Sequence, residues 1–246
     1  MSFSLLERLI ELETAVSPLT FAPEGERPYT HQPGELPILI SAPHATVHTR
    51  CRRLKKEEGF TGALAHLLAE TTGAHAFYSR YRSADDPNWD EDSPYKQGLQ
   101  EIIHTHDIQF VLDLHGMSDR HKIGVALGSI NGRSCPNQEP LILQTVAEQL
   151  TQTDEDEASA FSQLRWDHFV LNHSRFTGGV ANHTITRFVS QKLGVSALQI
   201  ELCSSVRVVK KRPSTPLTMP SSQPAQPVSQ TIALMQTLVD VLAHAM

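Results

Sequence analysis

The amino-acid sequence predicts an α/β fold: a mainly parallel mixed sheet with helices on both faces. Three observations lead there. Short apolar runs at 38–40 and 110–112, and the largely apolar stretch 197–202, lead into turn or polar residues, as strands buried in a sheet do. Segments with helical spacing of leucine and isoleucine lie between them. Most of the connections lack hairpin signals, which favours crossover links and parallel pairing.

In chain order, Leu5, Leu6, Leu9 and Ile10 have the spacing of a short amphipathic helix. Residues 18–37, rich in proline, glycine and charge, read as a surface connection. Ile38-Leu39-Ile40 is a strand, stopped by Pro43 in Ser41-Ala42-Pro43-His44. Leu64, Leu67 and Leu68 stripe a helix closed by Thr72-Gly73. A strand follows at 75–78, a charged loop at 83–93 and a helix at 95–105. Then comes the central strand, Phe110-Val111-Leu112-Asp113-Leu114-His115-Gly116. Residues 123–130 read as a strand, 141–150 as a helix, and 151–159 as an acidic surface linker. A short strand at 169–171, a turn at 175–179, a helix at 185–193 ended by Gly194 and a strand at 197–202 complete the core. A proline/serine-rich linker at 213–227 leads to an amphipathic helix at 228–245. The expectation is a single domain over 1–246 with its core at about 38–207.

Composition narrows the function classes. With 39% hydrophobic and 20% charged residues the chain suits a soluble globular domain. A net charge of -6 argues against a nucleic-acid partner. No run approaches the roughly 18 apolar residues of a membrane span. Cys51, Cys135 and Cys203 are widely spaced, with no CxxC pair, which fits a reducing compartment. Charges interrupt the first apolar residues and no small-residue cleavage site follows, so the expected location is cytoplasmic.

The chemistry-bearing residues cluster at strand ends. Asp113 and His115 lie two apart and so share one face of their strand. His44 follows another apolar strand, and Glu57 or Glu58 stands between the two histidines in sequence. Two imidazoles and one carboxylate form a common catalytic zinc set, and the expectation is one Zn2+ per chain. The spacing is not HExxH, so the ligands would converge from separate strand ends. Asp113 suits a supporting role beside His115. Glu201, at the end of the last strand, is placed to activate water. His48, His104, His106, His121, His168, His173 and His183 read as surface or local hydrogen-bonding residues, and Cys203 as core packing.

In this order, Ser41-Ala42-Pro43-His44, Glu58 before Phe60-Thr61-Gly62, Asp85-Asp86-Pro87-Asn88, Asp113-Leu114-His115-Gly116, Phe176-Thr177-Gly178-Gly179 and Gln199-Ile200-Glu201 resemble the N-formylglutamate amidohydrolase family. That family is related to the zinc carboxypeptidases and the aspartoacylase/succinylglutamate desuccinylase group. The resemblance covers roughly residues 38–207. It implies a phosphorylase/hydrolase-like, zinc-carboxypeptidase-like fold, zinc held by His44, Glu58 and His115, and Glu201 as the catalytic glutamate. It also implies a small N-acyl amino acid as substrate, N-formylglutamate being the family default. The pattern departs at Asn88-Trp89, where relatives often carry Asn-Arg, the arginine gripping a substrate carboxylate. Arg82 and Arg207 are the catalytic candidates for that work; Arg80, Asn88, Arg175, Gly178 and Gly179 are the expected substrate-binding residues. Two other readings stand beside this one. One is a carboxypeptidase-like or cell-wall peptidase; the other is a non-catalytic binding protein of the same fold.

Overall fold

A computed structural model of the chain describes residues 4–151, 169–209 and 226–246. His168 and almost all of the two expected linkers lie outside the described residues. Strands β1 (Tyr29–Gln32), β2 (Ile38–Ala42), β5 (His75–Ser79), β6 (Phe110–Met117), β7 (Val125–Gly128), β8 (Phe169–Leu171) and β9 (Ser196–Cys203) form one sheet in the order β1-β5-β2-β6-β9-β7-β8. The central four, β5-β2-β6-β9, are parallel, while β1 and β7 pair antiparallel with their inner neighbours. A separate two-stranded ribbon joins β3 (His48–Arg50) to β4 (Arg53–Lys55).

The helices are α1 (Leu5–Thr14), α2 (Thr61–Thr72), α3 (Pro94–Thr105), α4 (Glu139–Thr151), α5 (Ile185–Arg187), α6 (Ser204–Arg207) and α7 (Gln226–His244). Local chemistry explains their ends. Ser4 and Glu7 form a reciprocal capping box at α1. Ser93 caps α3 with Pro94 in its first turn, and Gly73, at φ 81°, closes α2. The predicted helix at 185–193 is one α turn that continues as a π-helical turn, Phe188–Lys192. No helix among the described residues is long and apolar enough to cross a membrane.

The strands alternate between two cores, so helices cover both faces. Ile38, Ile40, Phe110, Leu112, Leu114, Leu198, Ile200 and Leu202 meet residues of α1, α2, α4 and α7 in the larger core. Leu39, Phe77, Val111 and Ala197 meet α3 and α5 in the smaller one. Period two then puts Ser41, Asp113, His115, Gln199 and Glu201 on the face of the smaller core. That face is apolar at the amino ends of the parallel strands and polar at their carboxyl ends.

Two expectations need correcting. The segment 18–37 is not only a connection, because it contains edge strand β1, with Tyr29 opposite Ser79. Its side chains are half-buried and polar, so no apolar alternation marked it. For His48 the surface alternative falls and the local hydrogen-bonding one holds: it is buried, with Nδ1 3.2 Å from the Thr46 carbonyl and its ring stacked on His44, centroids 4.1 Å apart.

The 175–179 turn is held by backbone contact. A Cβ on Gly178, where φ is +78°, would lie 2.5 Å from the carbonyl oxygen of Gly128. Gly178→Ala is therefore expected to cost about 2–3 kcal/mol, combining backbone strain with a clash against main chain that cannot rotate away. Urea unfolding of the variant beside wild type measures it, and an unchanged midpoint would contradict this packing.

Candidate metal centre

The site sits at the carboxyl ends of β2, β6 and β9. Pro43 ends β2 and turns His44 out of the strand, where its carbonyl accepts the N–H of Glu58 (2.8 Å). Phe60 adopts φ 67° ahead of α2, and its N–H is received by Glu13 of α1 (2.9 Å). These links hold Glu58 above the strand ends. Glu57 is exposed, so the choice between the adjacent acids falls on Glu58.

Glu58 lies between the two imidazoles. Its Oε1 is 3.1 Å from Nδ1 of His44, and its Oε2 is 3.1 Å from Nδ1 of His115. The Gly116 N–H also donates to Oε2 (2.9 Å). Burial works against the Glu58 charge, but His44 and His115 outweigh it and hold the carboxyl well below its usual range.

The outer ring nitrogens are held as well. Nε2 of His44 donates to Oδ1 of Asp86 (3.0 Å). Asp86 is fully buried and also faces Nε2 of His48 (3.4 Å) and the Arg50 guanidinium. Burial opposes its ionisation, and the hydrogen bonds from His44 and His48 overcome that, so it stays far below the ordinary carboxylate range. Nε2 of His115 has two neighbours: Asn88 Nδ2 lies 3.0 Å away, and Asp113 Oδ1 lies 3.2 Å away. Asp113 is anchored through Oδ2 by the N–H and hydroxyl of Thr186 (3.2 and 3.0 Å).

These contacts test whether a cation fits. With Nε2 of His44 committed as a donor to Asp86, a neutral ring presents the lone pair of Nδ1 to a carboxylate. Two acceptors face each other there, and a proton or a metal ion must lie between them. For His115, Oδ1 of Asp113 is buried without a hydrogen-bond partner. A proton on Nε2 would satisfy it and free Nδ1 for a metal. His44, Glu58 and His115 place one ligand atom each within 4.8 Å of one another, and the set suits zinc. The alternative grouping of His44, His48 and Asp86 is weaker, because Arg50 already pairs with Asp86.

A cleft of about 370 Å³ opens over these residues, lined also by Asn88, Arg120, Arg175, Gly179, Gln199 and Glu201. Gln199 receives the N–H of Gly178 (2.8 Å) and donates to Oε1 of Glu201 (3.1 Å), fixing that carboxylate. Burial foremost, with Glu58 and Asp113 adding to it against the pull of His115 and His44, pushes Glu201 up to about 7.

The expected arginines are distributed differently. Arg80 and Arg82 do not line the cleft; Arg82 lies over the Phe21 ring, 4.5 Å from its centroid, and Arg80 over Tyr81. Both leave β5 on the side facing residues 20–28, to which their backbone N–H groups are tied. Arg207 is buried behind Gly116 rather than in the cleft; a Cβ on that glycine would meet Nη2 at 2.5 Å. Arg175 does reach the cleft. Asn88 also lines it, but its side chain is committed to His115 and to the N–H of Ile185 (2.9 Å). Gly178 supports Gln199 from outside the cleft wall.

Sequence reading missed Arg50, Arg120 and the role of Asp86. Arg50 ends β3 and lies over Trp89, 5.6 Å from the ring centroid. An arginine thus stands against the residue that departs from the family pattern, brought from another element. Only the basic run beginning at Arg50 hinted at it.

No protein-family model matches the chain, and no curated protein does. Among solved structures, gene product Atu2144 from Agrobacterium tumefaciens aligns with 89% of this chain and 96% of its own, at 11% identity and a TM-score of 0.49. A bacteriophage poly-gamma-glutamate hydrolase aligns over 76% of this chain and 75% of its own (14% identity, TM-score 0.40). The chain is also similar to a Pseudomonas aeruginosa metallo-carboxypeptidase bound to (2-guanidinoethylmercapto)succinic acid, over 97% of this chain and 66% of that one (15% identity, TM-score 0.46).

Proposed function

We propose that this chain is a metal-dependent hydrolase that cleaves the amide of a small N-acyl amino acid, N-formylglutamate-like substrates being the first class to test. The observation that carries this is Glu58 set between Nδ1 of His44 and Nδ1 of His115, with Glu201 in the same cleft. His44, Glu58 and His115 would hold one zinc ion. Zinc at such a donor set supplies Lewis acidity toward a carbonyl and toward water.

The side chains perform the rest. Asp86 and Asp113 orient the imidazoles through their outer nitrogens. Glu201, steadied by Gln199, takes a proton from the attacking water on its carboxylate and passes it to the departing amine. Its raised pKa matches that exchange near neutral pH. Arg120 and Arg175, exposed at the rim, have no ion pair among the described residues and are suited to a substrate carboxylate. The modest cleft favours an amino-acid-sized substrate over a polymer.

The test is a panel of N-formyl, N-acetyl and N-succinyl amino acids assayed with zinc-equilibrated, tag-free protein. Hydrolysis is expected for acidic members, lost on chelation and restored by zinc. Blocked dipeptides in the same panel read out a carboxypeptidase-like preference. A zinc-loaded protein that hydrolyses nothing in the panel overturns the proposal and favours a binding role for the cleft.

A further inference from the structure

We infer that the chain carries a second metal site, a three-histidine centre for a divalent transition-metal ion, formed by His31, His75 and His106 at the opposite end of the sheet from the cleft. The three contribute one ligand nitrogen each, all within 4.8 Å of one another. The fold brings them together from distant parts of the chain. His31 pairs with Phe77 across β1 and β5, so His75, two residues before Phe77, is its diagonal neighbour on the same face. Phe77 belongs to the core under α3, and His106 caps the end of that helix on the same side.

The rings converge closely. His31 and His75 are parallel within 2°, and Nε2 of His31 is 3.1 Å from Nδ1 of His75. The His106 ring stands 5.0 Å from His31 and 4.6 Å from His75, centroid to centroid. No carboxylate pairs with any of the three among the described residues, so a fold-stabilising ion pair does not explain the cluster. Burial first, then repulsion from His75 and His106, lowers His31 to about 4; burial and His106 lower His75. His75 is buried, His31 half-buried and His106 exposed, which leaves an open side for a water or anion as fourth ligand. An all-imidazole set selects zinc, nickel or copper over magnesium and calcium.

Equilibrium dialysis against micromolar free zinc, with magnesium as control, tests the site on tag-free protein. Wild type is expected to bind a second zinc equivalent and no magnesium there. The exposed-residue variant His106→Ala should lose one equivalent and stay folded by circular dichroism, while Glu58→Gln, which weakens the cleft site, should keep the second site. His31→Ala should repeat the His106→Ala result. Equal zinc in wild type and His106→Ala, or a second equivalent that vanishes with Glu58→Gln, overturns the inference. Because His106 lies far from the cleft, failure of the hydrolase reading leaves this count unchanged.

Discussion

Glu201→Gln is expected to lower kcat by about 100- to 10,000-fold, the range for removing a general acid–base, without loss of bound zinc. Glutamine keeps the shape and can still accept the Gln199 amide hydrogen, so the carboxylate's hydrogen-bonded setting survives. What it loses is the ability to take up a proton. Glu201 makes no hydrogen bond to His44, Glu58 or His115, and metal uptake should therefore match wild type. Steady-state kinetics and elemental analysis on the same preparation measure both. Wild-type turnover in the variant would remove Glu201 from the mechanism, and loss of zinc would move it into the ligand set.

His115→Ala is expected to abolish both zinc binding at the cleft and hydrolysis. It should also destabilise the protein by about 3–5 kcal/mol, the cost of deleting one partner from a buried charged pair. Asp113 is fully buried, and without His115 its Oδ1 keeps no cationic neighbour. The Asn88 amide loses its ring neighbour as well. Glu58→Gln provides the milder check, because it preserves an acceptor for the Gly116 N–H while removing the charge between the imidazoles. That variant should stay folded and bind cleft zinc far more weakly. Undiminished zinc in Glu58→Gln would exclude Glu58 as a ligand.

Most of the sheet was legible because its interior strands are rich in apolar residues, with polar ones mostly confined to one face at their carboxyl ends. Ile38–Ile40, Phe110–Leu114 and Ala197–Leu202 each needed only local pattern to be recognised as β2, β6 and β9. Strand β1 and the β3–β4 ribbon were not legible. The side chains of β1 (Tyr-Thr-His-Gln) and β4 (Arg-Leu-Lys) are mostly polar and partly or fully exposed, β3 is only three residues long, and pairing with a partner is what defines them. The same division holds for the site. Strand periodicity sets Asp113 beside His115, and that spacing is visible in sequence. Asp86 is different. Its burial under His44, His48 and Arg50 depends on a loop pinned from α3, where Lys96 donates to the carbonyls of Asp90 (2.6 Å) and His183 (2.7 Å). Arginine positions were the least legible, since a long side chain can point along or away from its strand. Arg50 came to the cleft from a ribbon that local pattern did not reveal, while Arg82 turned toward Phe21.

Strand order has a further consequence for how the molecule breathes. β2, β6 and β9 are adjacent interior strands, whereas β1 and β8 are the margins. Amide hydrogens on the interior strands should exchange slowest, because exposing them requires losing neighbours on both sides. A molecule frayed at its borders would therefore keep the cleft intact. The three-histidine cluster has the opposite dependence, since His31 stands on marginal β1 and would disperse whenever that edge opens. Metal at the border would then act as a clasp on the fraying edge, slowing exchange along β1 while leaving the interior strands untouched.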